Sequence, residues 1–180
     1  FPTRRSSDLA MQAADRQNPS NPPTVSWGRF GLLAAAAVVF LILDQATKAW
    51  IQAAFFEGEF IRVLPFFNLC HVRNTGAAFS FLSDAGGWQT AFFVTMASVV
   101  AVIALITMKR TANRFFQWAS VLIVSGAVGN AIDRVVLGSV VDFLDFHLAG
   151  WHWPAFNVAD IAICLGAFLI VVAEFKSANK

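Results

Sequence analysis

Residues 156–166, "FNVADIAICLG", read as an apolar helix segment carrying a single carboxylate, Asp160. Six apolar or small residues follow it, and Asn157 precedes it by one helical turn. An ionised carboxylate held away from water costs several kcal/mol, so an acid in such a segment is a functional candidate by default if the segment crosses a membrane. The composition settles that condition. Of 180 residues, 57% are hydrophobic and only 13% are charged, with a mean hydropathy of +0.62. Soluble domains carry roughly 25% charged residues. The chain therefore reads as a membrane protein of one domain.

Working outward from this segment, charge-free stretches cover 85–108 and 115–132, each near the roughly 20 residues a spanning helix needs. Two shorter runs, 30–43 and 161–173, reach spanning length only by continuing through Asp44 or Asp160. The expected fold is mainly α, an integral membrane protein with four transmembrane helices, two of them bearing a buried acid. The opening "FPTRRSSDLA" is polar, matches no targeting signal and precedes Met11, so residues 1–10 read as an extension foreign to the domain. The Pro- and Asn-rich "MQAADRQNPSNPP" after it reads as disordered. The expected partition is a disordered or artefactual segment 1–27, a four-helix domain 28–176 and a tail 177–180.

Basic residues prefer cytoplasmic loops. Arg16 and Arg29 precede the first helix, Lys109, Arg110 and Arg114 fill the loop between the second and third, and Lys176 and Lys180 follow the fourth. Both termini are thus expected inside, with 51–87 and 138–153 outside. The first outer segment contains "EFIRVLPFFNLCHVRNTG", strand-like runs broken at Pro65 and closed by an Asn-Thr-Gly turn. It is expected to form a small sheet at the outer interface, with Trp50, Trp88, Trp151 and Trp153 as an aromatic belt.

At 1.5 Å rise per residue, Asp44 stands roughly 22 Å above Arg29 and Asp160 roughly 21 Å above Glu174 on an oppositely directed helix, so the two acids share a depth. By the same count Asp133 sits about 28 Å above Arg114, close to the outer boundary. Beyond it, Gly138 is a helix stop and Val140-Val141 favour extended chain, which returns Asp142 toward the fourth helix. Asp142 and Asp160 are expected side by side, with Asp44, Asn130, Asp133, Arg134 and Asn157 around them. The plainer reading of Asp133 is a cap or headgroup-level charge paired with its neighbour Arg134. Asp44 has a plain reading too, an i,i+4 pair with Lys48. Position alone does not choose Asp142 over Asp133.

Other chemistries find less support. His71, His147 and His152 lack helical metal spacing and read as interface residues, while Cys70 and Cys164 have no partners, so neither a metal nor another cofactor is expected. A Ser/Lys pair built from Lys48 with Ser80 or Ser83 has no diagnostic spacing. No phosphate-binding loop or basic aromatic patch points to nucleotide or nucleic acid. Two carboxylates in one low-dielectric pocket share a proton, leaving one as acid and one as base, an arrangement that hydrolyses amides. The competing class, a small transporter or channel relaying protons or a cation, needs acids spread along a path, whereas these gather near one face. A non-catalytic assembly factor has little use for them.

"DQATK" (44–48), "RNTGAAFSFL" (73–82), "GNAIDRVVLGSVVDF" (129–143) and "FNVADIAICLG" (156–166) occur in this order on a four-helix chain. In these blocks, across about residues 28–175, the sequence strongly resembles bacterial lipoprotein signal peptidase, signal peptidase II. The resemblance implies an aspartyl dyad of Asp142 and Asp160, with supporting roles for Asp44, Lys48, Asn74, Gly76, Asn130, Arg134, Asn157 and Ala159. It implies a diacylglyceryl-modified prolipoprotein as substrate, cut just before the lipid-bearing cysteine in the bacterial inner membrane, near its outer face. Asn130 and Asn157 are expected to orient the dyad, and Arg134 to fix the carboxylates around it. The "NTGAAFSFL" stretch is expected to act as a lid or as a membrane-anchoring hairpin.

Overall fold

The computed structural model describes residues 24–76 and 87–178. The N-terminal extension, most of the expected lid with Ser80 and Ser83, and the last two residues of the tail lie outside the described residues. Four helices, α1 (Trp27–Ala54), α2 (Trp88–Arg110), α3 (Arg114–Leu137) and α4 (Val158–Ala178), are long and apolar enough to cross a membrane. The two short apolar runs do continue through Asp44 and Asp160, because each acid finds partners inside the bundle.

Helix α3 is the hub against which α1, α2 and α4 pack. Its buried face is small and weakly polar, with Ala119, Ser120, Ser125, Gly126, Ala127 and Gly129. Lipid offers no hydrophobic drive between helices, so close backbone approach has to supply the contact, and small residues permit it. A methyl group added at Gly126 would run into the Ala159 carbonyl of α4, and one at Gly166 would come within 2.9 Å of the Ala119 carbonyl of α3. The large apolar side chains point the other way: Leu32, Val39, Ile103 and Phe168 are all exposed.

The end formed by Val25, Lys109, Arg114 and Lys176 is closed by cations on aromatic faces. Lys109 Nζ reaches the Val25 carbonyl and lies 3.9 Å from the Trp27 ring, and Lys176 lies 4.3 Å from the Phe115 ring. Arg29 donates to Gln117 Oε1 at 2.9 and 2.6 Å. At the opposite end stands a four-stranded antiparallel sheet in the order β1 (Phe60–Leu64), β2 (Phe67–Asn74), β3 (Val140–Leu148), β4 (Trp151–His152). The sequence points to a sheet in 59–76 alone. The structure instead builds it from both connecting segments, since a lone two-stranded ribbon is marginal and β3 adds the row Val140–Phe143, buried along its length. Ile51 and Phe55 at the end of α1 pack on Val141 and Phe143, fixing the sheet to the bundle. His71, expected at an interface, is buried, with Nδ1 3.1 Å from the Phe55 carbonyl. Its strand faces the end of α1, and its imidazole fills that junction.

Candidate active site

Helix α3 stops where the sequence suggests. Gly138 adopts φ 73°, a left-handed cap that glycine occupies without Cβ strain, and its N–H donates to the Arg134 carbonyl at 3.1 Å. The chain then turns into β3, and Asp142 is carried back over the start of α4. Asp142 Oδ1 accepts from Asn157 Nδ2 at 2.7 Å and Oδ2 from Asn74 Nδ2 at 3.0 Å.

Asp160 is set by the way α4 begins. Asn157 Oδ1 accepts the Asp160 backbone N–H at 3.0 Å, while Asp160 Oδ2 accepts the Asn157 N–H at 3.2 Å, a reciprocal capping box. Asp160 Oδ1 accepts from Asn130 Nδ2 at 2.8 Å. Asn157 thus touches both aspartates, one through its side-chain amide and the other through its cap. Both acids line one cavity of about 590 Å³, together with Asn74, Gly76, Asn130 and Arg134, and its remaining walls are mostly apolar, including Phe93, Phe156, Ile161, Cys164 and Leu165. Burial pushes the Asp142 carboxyl up to about 7, and the nearby Asp160 adds to the rise; the Asn74 and Asn157 amides and the more distant Lys48 pull against it.

Beneath this cavity lies a second cluster. Lys48 Nζ contacts Asp44 Oδ2, Asp133 Oδ2 and Asn130 Oδ1, each at 2.9 Å. Asp44, Lys48 and Asp133 are 1%, 1% and 3% exposed. Asp44 Oδ1 also accepts the Ala159 N–H at 2.8 Å, so an acid on α1 satisfies an orphan donor at the start of α4. Asp133 Oδ2 accepts the Val141 N–H at 3.2 Å and so ties α3 to β3.

Two expectations need correction. Asp133 pairs with Lys48 and not with its neighbour Arg134. Adjacent residues on a helix point in different directions, whereas the facing helix offers a cation. Arg134, expected to fix the carboxylates, makes no ion pair among the described residues. It donates to the Gly76 carbonyl at 2.9 Å and lies 4.7 Å from the Phe93 ring, with Nε buried and unpartnered among the described residues. Gly76 in turn donates to Asn74 Oδ1 at 3.0 Å, so Arg134, Gly76 and Asn74 form one rim of the cavity.

Two polar residues escape a sequence reading. Gln45 Nε2 donates to Asp133 Oδ1 at 2.9 Å and to Asp44 Oδ2 and the Gly129 carbonyl at 3.2 Å each, and its only sequence signal is adjacency to Asp44. Asp145 is buried on β3 beside Asn68 and His152. Three residues from Asp142, it would face away from that acid in a regular strand.

Residues 36–176 match the family model described as signal peptidase (SPase) II. The chain is 50% identical over 145 residues to the lipoprotein signal peptidase of Janthinobacterium sp. (strain Marseille), covering 80% of this chain and 88% of that protein. It is 52% identical over 147 residues to that of Cupriavidus necator, covering 81% and 84%. A bacterial membrane enzyme solved by the in meso method at 2.3 Å resolution superposes with a TM-score of 0.75 at 35% identity, over 88% of this chain and 95% of that one. A second such structure, at 1.9 Å resolution, gives a TM-score of 0.70 over 85% and 96%. With most of its length matched in sequence and in fold, the chain belongs to the signal peptidase II family.

Proposed function

We propose that this membrane peptidase removes the signal peptide from diacylglyceryl-modified prolipoproteins by water activated between Asp142 and Asp160, cutting just before the lipid-bearing cysteine. The observation that carries the reading is Asn157, which joins the two aspartates in one cavity. Asp160, at the N-terminus of α4 where a negative charge is favoured, serves as base. Asp142, with its carboxyl pushed up to about 7, holds the shared proton and hydrogen-bonds the scissile carbonyl. Asp160 takes a proton from water as the oxygen attacks the carbonyl carbon. The tetrahedral intermediate collapses, the C–N bond breaks and the leaving nitrogen receives the proton, so no acyl-enzyme forms.

Asn74, Asn130 and Asn157 hold the carboxylates, and the rim of Gly76 and Arg134 borders the substrate. Asp44, Lys48, Asp133 and Ala159 fix the three elements that carry the dyad. Orientation follows the cations: the end with Arg29, Lys109, Arg110, Arg114 and Lys176 faces the cytoplasm with both termini, and the sheet end faces outward. Membrane lipids surround the helices, and the substrate's acyl chains enter from them. The test is cleavage of a lipidated preprolipoprotein by the purified protein in detergent. Asp142→Asn and Asp160→Asn should each lower kcat by at least about 10²–10⁴-fold while the protein stays folded. Full turnover by either variant would refute the dyad.

A further inference from the structure

A second cavity, of about 700 Å³, opens on the sheet and shares Asp142, Asn74 and the 153–155 stretch with the first. Its chemistry differs. The first cavity continues along α4 past Ile161 and Leu165, whereas the second reaches Arg73, Thr75, Asp145 and His152. Asp145 lines it beside Asp142 where β3 is irregular on both edges, its pairing with β2 slipping by one residue between Leu69 and Val72. On the other edge Phe143 and Leu144 both donate to the Phe156 carbonyl, at 3.0 and 2.9 Å, so there two residues oppose one. A bulge lets residues three apart share a face.

Asp145 is held in place. It is 2% exposed, Oδ2 accepts from Asn68 Nδ2 at 2.7 Å, and both oxygens lie 2.9 Å from His152 Nδ1. The His152 side chain is half-exposed and stacks on His147 at 4.9 Å. In the neutral ring, an Nδ1–H given to the carboxylate leaves Nε2 as an acceptor. In that form the pair presents a hydrogen-bond acceptor beside a buried carboxylate.

We propose that Asp145 and His152 form a specificity subsite for the chain that follows the scissile bond, favouring hydrogen-bond donors and cations over carboxylates. The inference rests on the peptidase reading above. A peptide crossing Asp142 has one end in each cavity, and the apolar signal segment fits the one that runs along α4. The outgoing polar chain then lies over β3. Asp145 is three strand residues from Asp142, at most about 10 Å, which an extended substrate spans in about three residues. The second and third residues after the cut are thus the ones read.

The experiment places Lys, Ser or Glu at each of these two positions of a lipidated preprolipoprotein and measures kcat/KM. Comparing substrates within one variant cancels any difference in the fraction of folded enzyme. The parent should prefer Lys to Glu at one of the positions by about fivefold, the size of a partly screened charge pair. Asp145→Asn should bring that ratio toward one, and His152→Lys, at a half-exposed position, should invert it. Equal rates for Lys and Glu in the parent, or one ratio shared by the parent and both variants, overturns the subsite while leaving the peptidase intact. No cleavage of any lipidated substrate by the parent overturns the peptidase reading itself, and the subsite with it.

Discussion

Two pairs of aspartates stand on either side of Asn130, and they are treated differently. Asp44 and Asp133 share the ammonium of Lys48, every contact at 2.9 Å, in a cluster closed to solvent. Asp142 and Asp160 receive side-chain amides and one backbone N–H, have no cation in contact among the described residues, and face a cavity. Asn130 divides the two by its chemistry: Oδ1 accepts from Lys48 at 2.9 Å, which leaves Nδ2 for Asp160. An amide orients a carboxylate without compensating its charge, whereas a cation at contact distance does both. The compensated pair holds three elements together, and the uncompensated pair is the one the proposed mechanism asks to exchange protons.

The largest effect that tests this contrast comes from removing the shared cation. Lys48→Met should cost about 3–5 kcal/mol, because it leaves two buried carboxylates unpaired in low dielectric. Thermal melting in detergent would show it, and adding Asp44→Asn and Asp133→Asn should restore part of the loss. A Lys48→Met protein as stable as its parent would mean that the lower cluster is not a structural knot.

Next in size is Gly129→Ala, which asks whether the clusters are coupled. An added Cβ would sit 2.5 Å from Asp44 Oδ2, so the carboxylate that holds the Ala159 N–H must move. Overpacking of this kind costs about 1–3 kcal/mol. Because Ala159 adjoins Asp160, kcat should fall as well, with KM little changed. A drop in stability with kcat intact would show that the start of α4 keeps its position without Asp44.

How much of this was legible in the sequence depended on whether the interaction was local. Hydropathy set out four spanning helices, the i,i+4 spacing paired Asp44 with Lys48, and Gly138 marked the stop that returns the chain toward α4. The partner of Asp133 was not legible, since Lys48 lies on another helix 85 positions away in the chain and Arg134 stood next to it. Asp145 was hidden by the irregular pairing around Phe143–Leu144, which no alternation pattern reveals. The choice of Asp142 over Asp133 came from the resemblance and not from position. The structure gives a physical ground for treating them differently, since among the described residues Asp133 contacts a cation and Asp142 does not.

The uncompensated acid should leave a mark on stability against pH. An aspartate titrates near 3.9 in an unfolded chain, whereas burial and Asp160 bring Asp142 up to about 7 in the folded protein. Between those values the folded state binds more protons than the unfolded one, so stability falls as pH rises, and the full loss is present above about 7. Asp142→Asn removes the titrating group. From about pH 5 to about pH 8 the parent should lose about 1–2 kcal/mol more than the variant, solvent in the cavity damping the full linkage. Parallel melting curves across that range would mean that Asp142 is ionised throughout.

The smallest prediction lies away from both pairs and acts as their control. The β3–β4 hairpin turns through Ala149 at φ 51° and Gly150 at φ 83°, consecutive left-handed residues of the kind a two-residue turn requires. Alanine is a poor occupant there because its Cβ crowds the backbone, whereas asparagine tolerates the conformation. Ala149→Asn should raise stability by about 0.5–1 kcal/mol without touching a hydrogen bond of either cluster. Turnover of a substrate with Ser at the second and third positions after the cut should stay within about twofold of the parent. The hairpin carries His152 and leads to the 153–155 wall that both cavities share. A stabilised hairpin with a clearly lower kcat would therefore place hairpin movement within the catalytic cycle, and the contrast between a rigid knot and an open dyad would have to include a mobile third part.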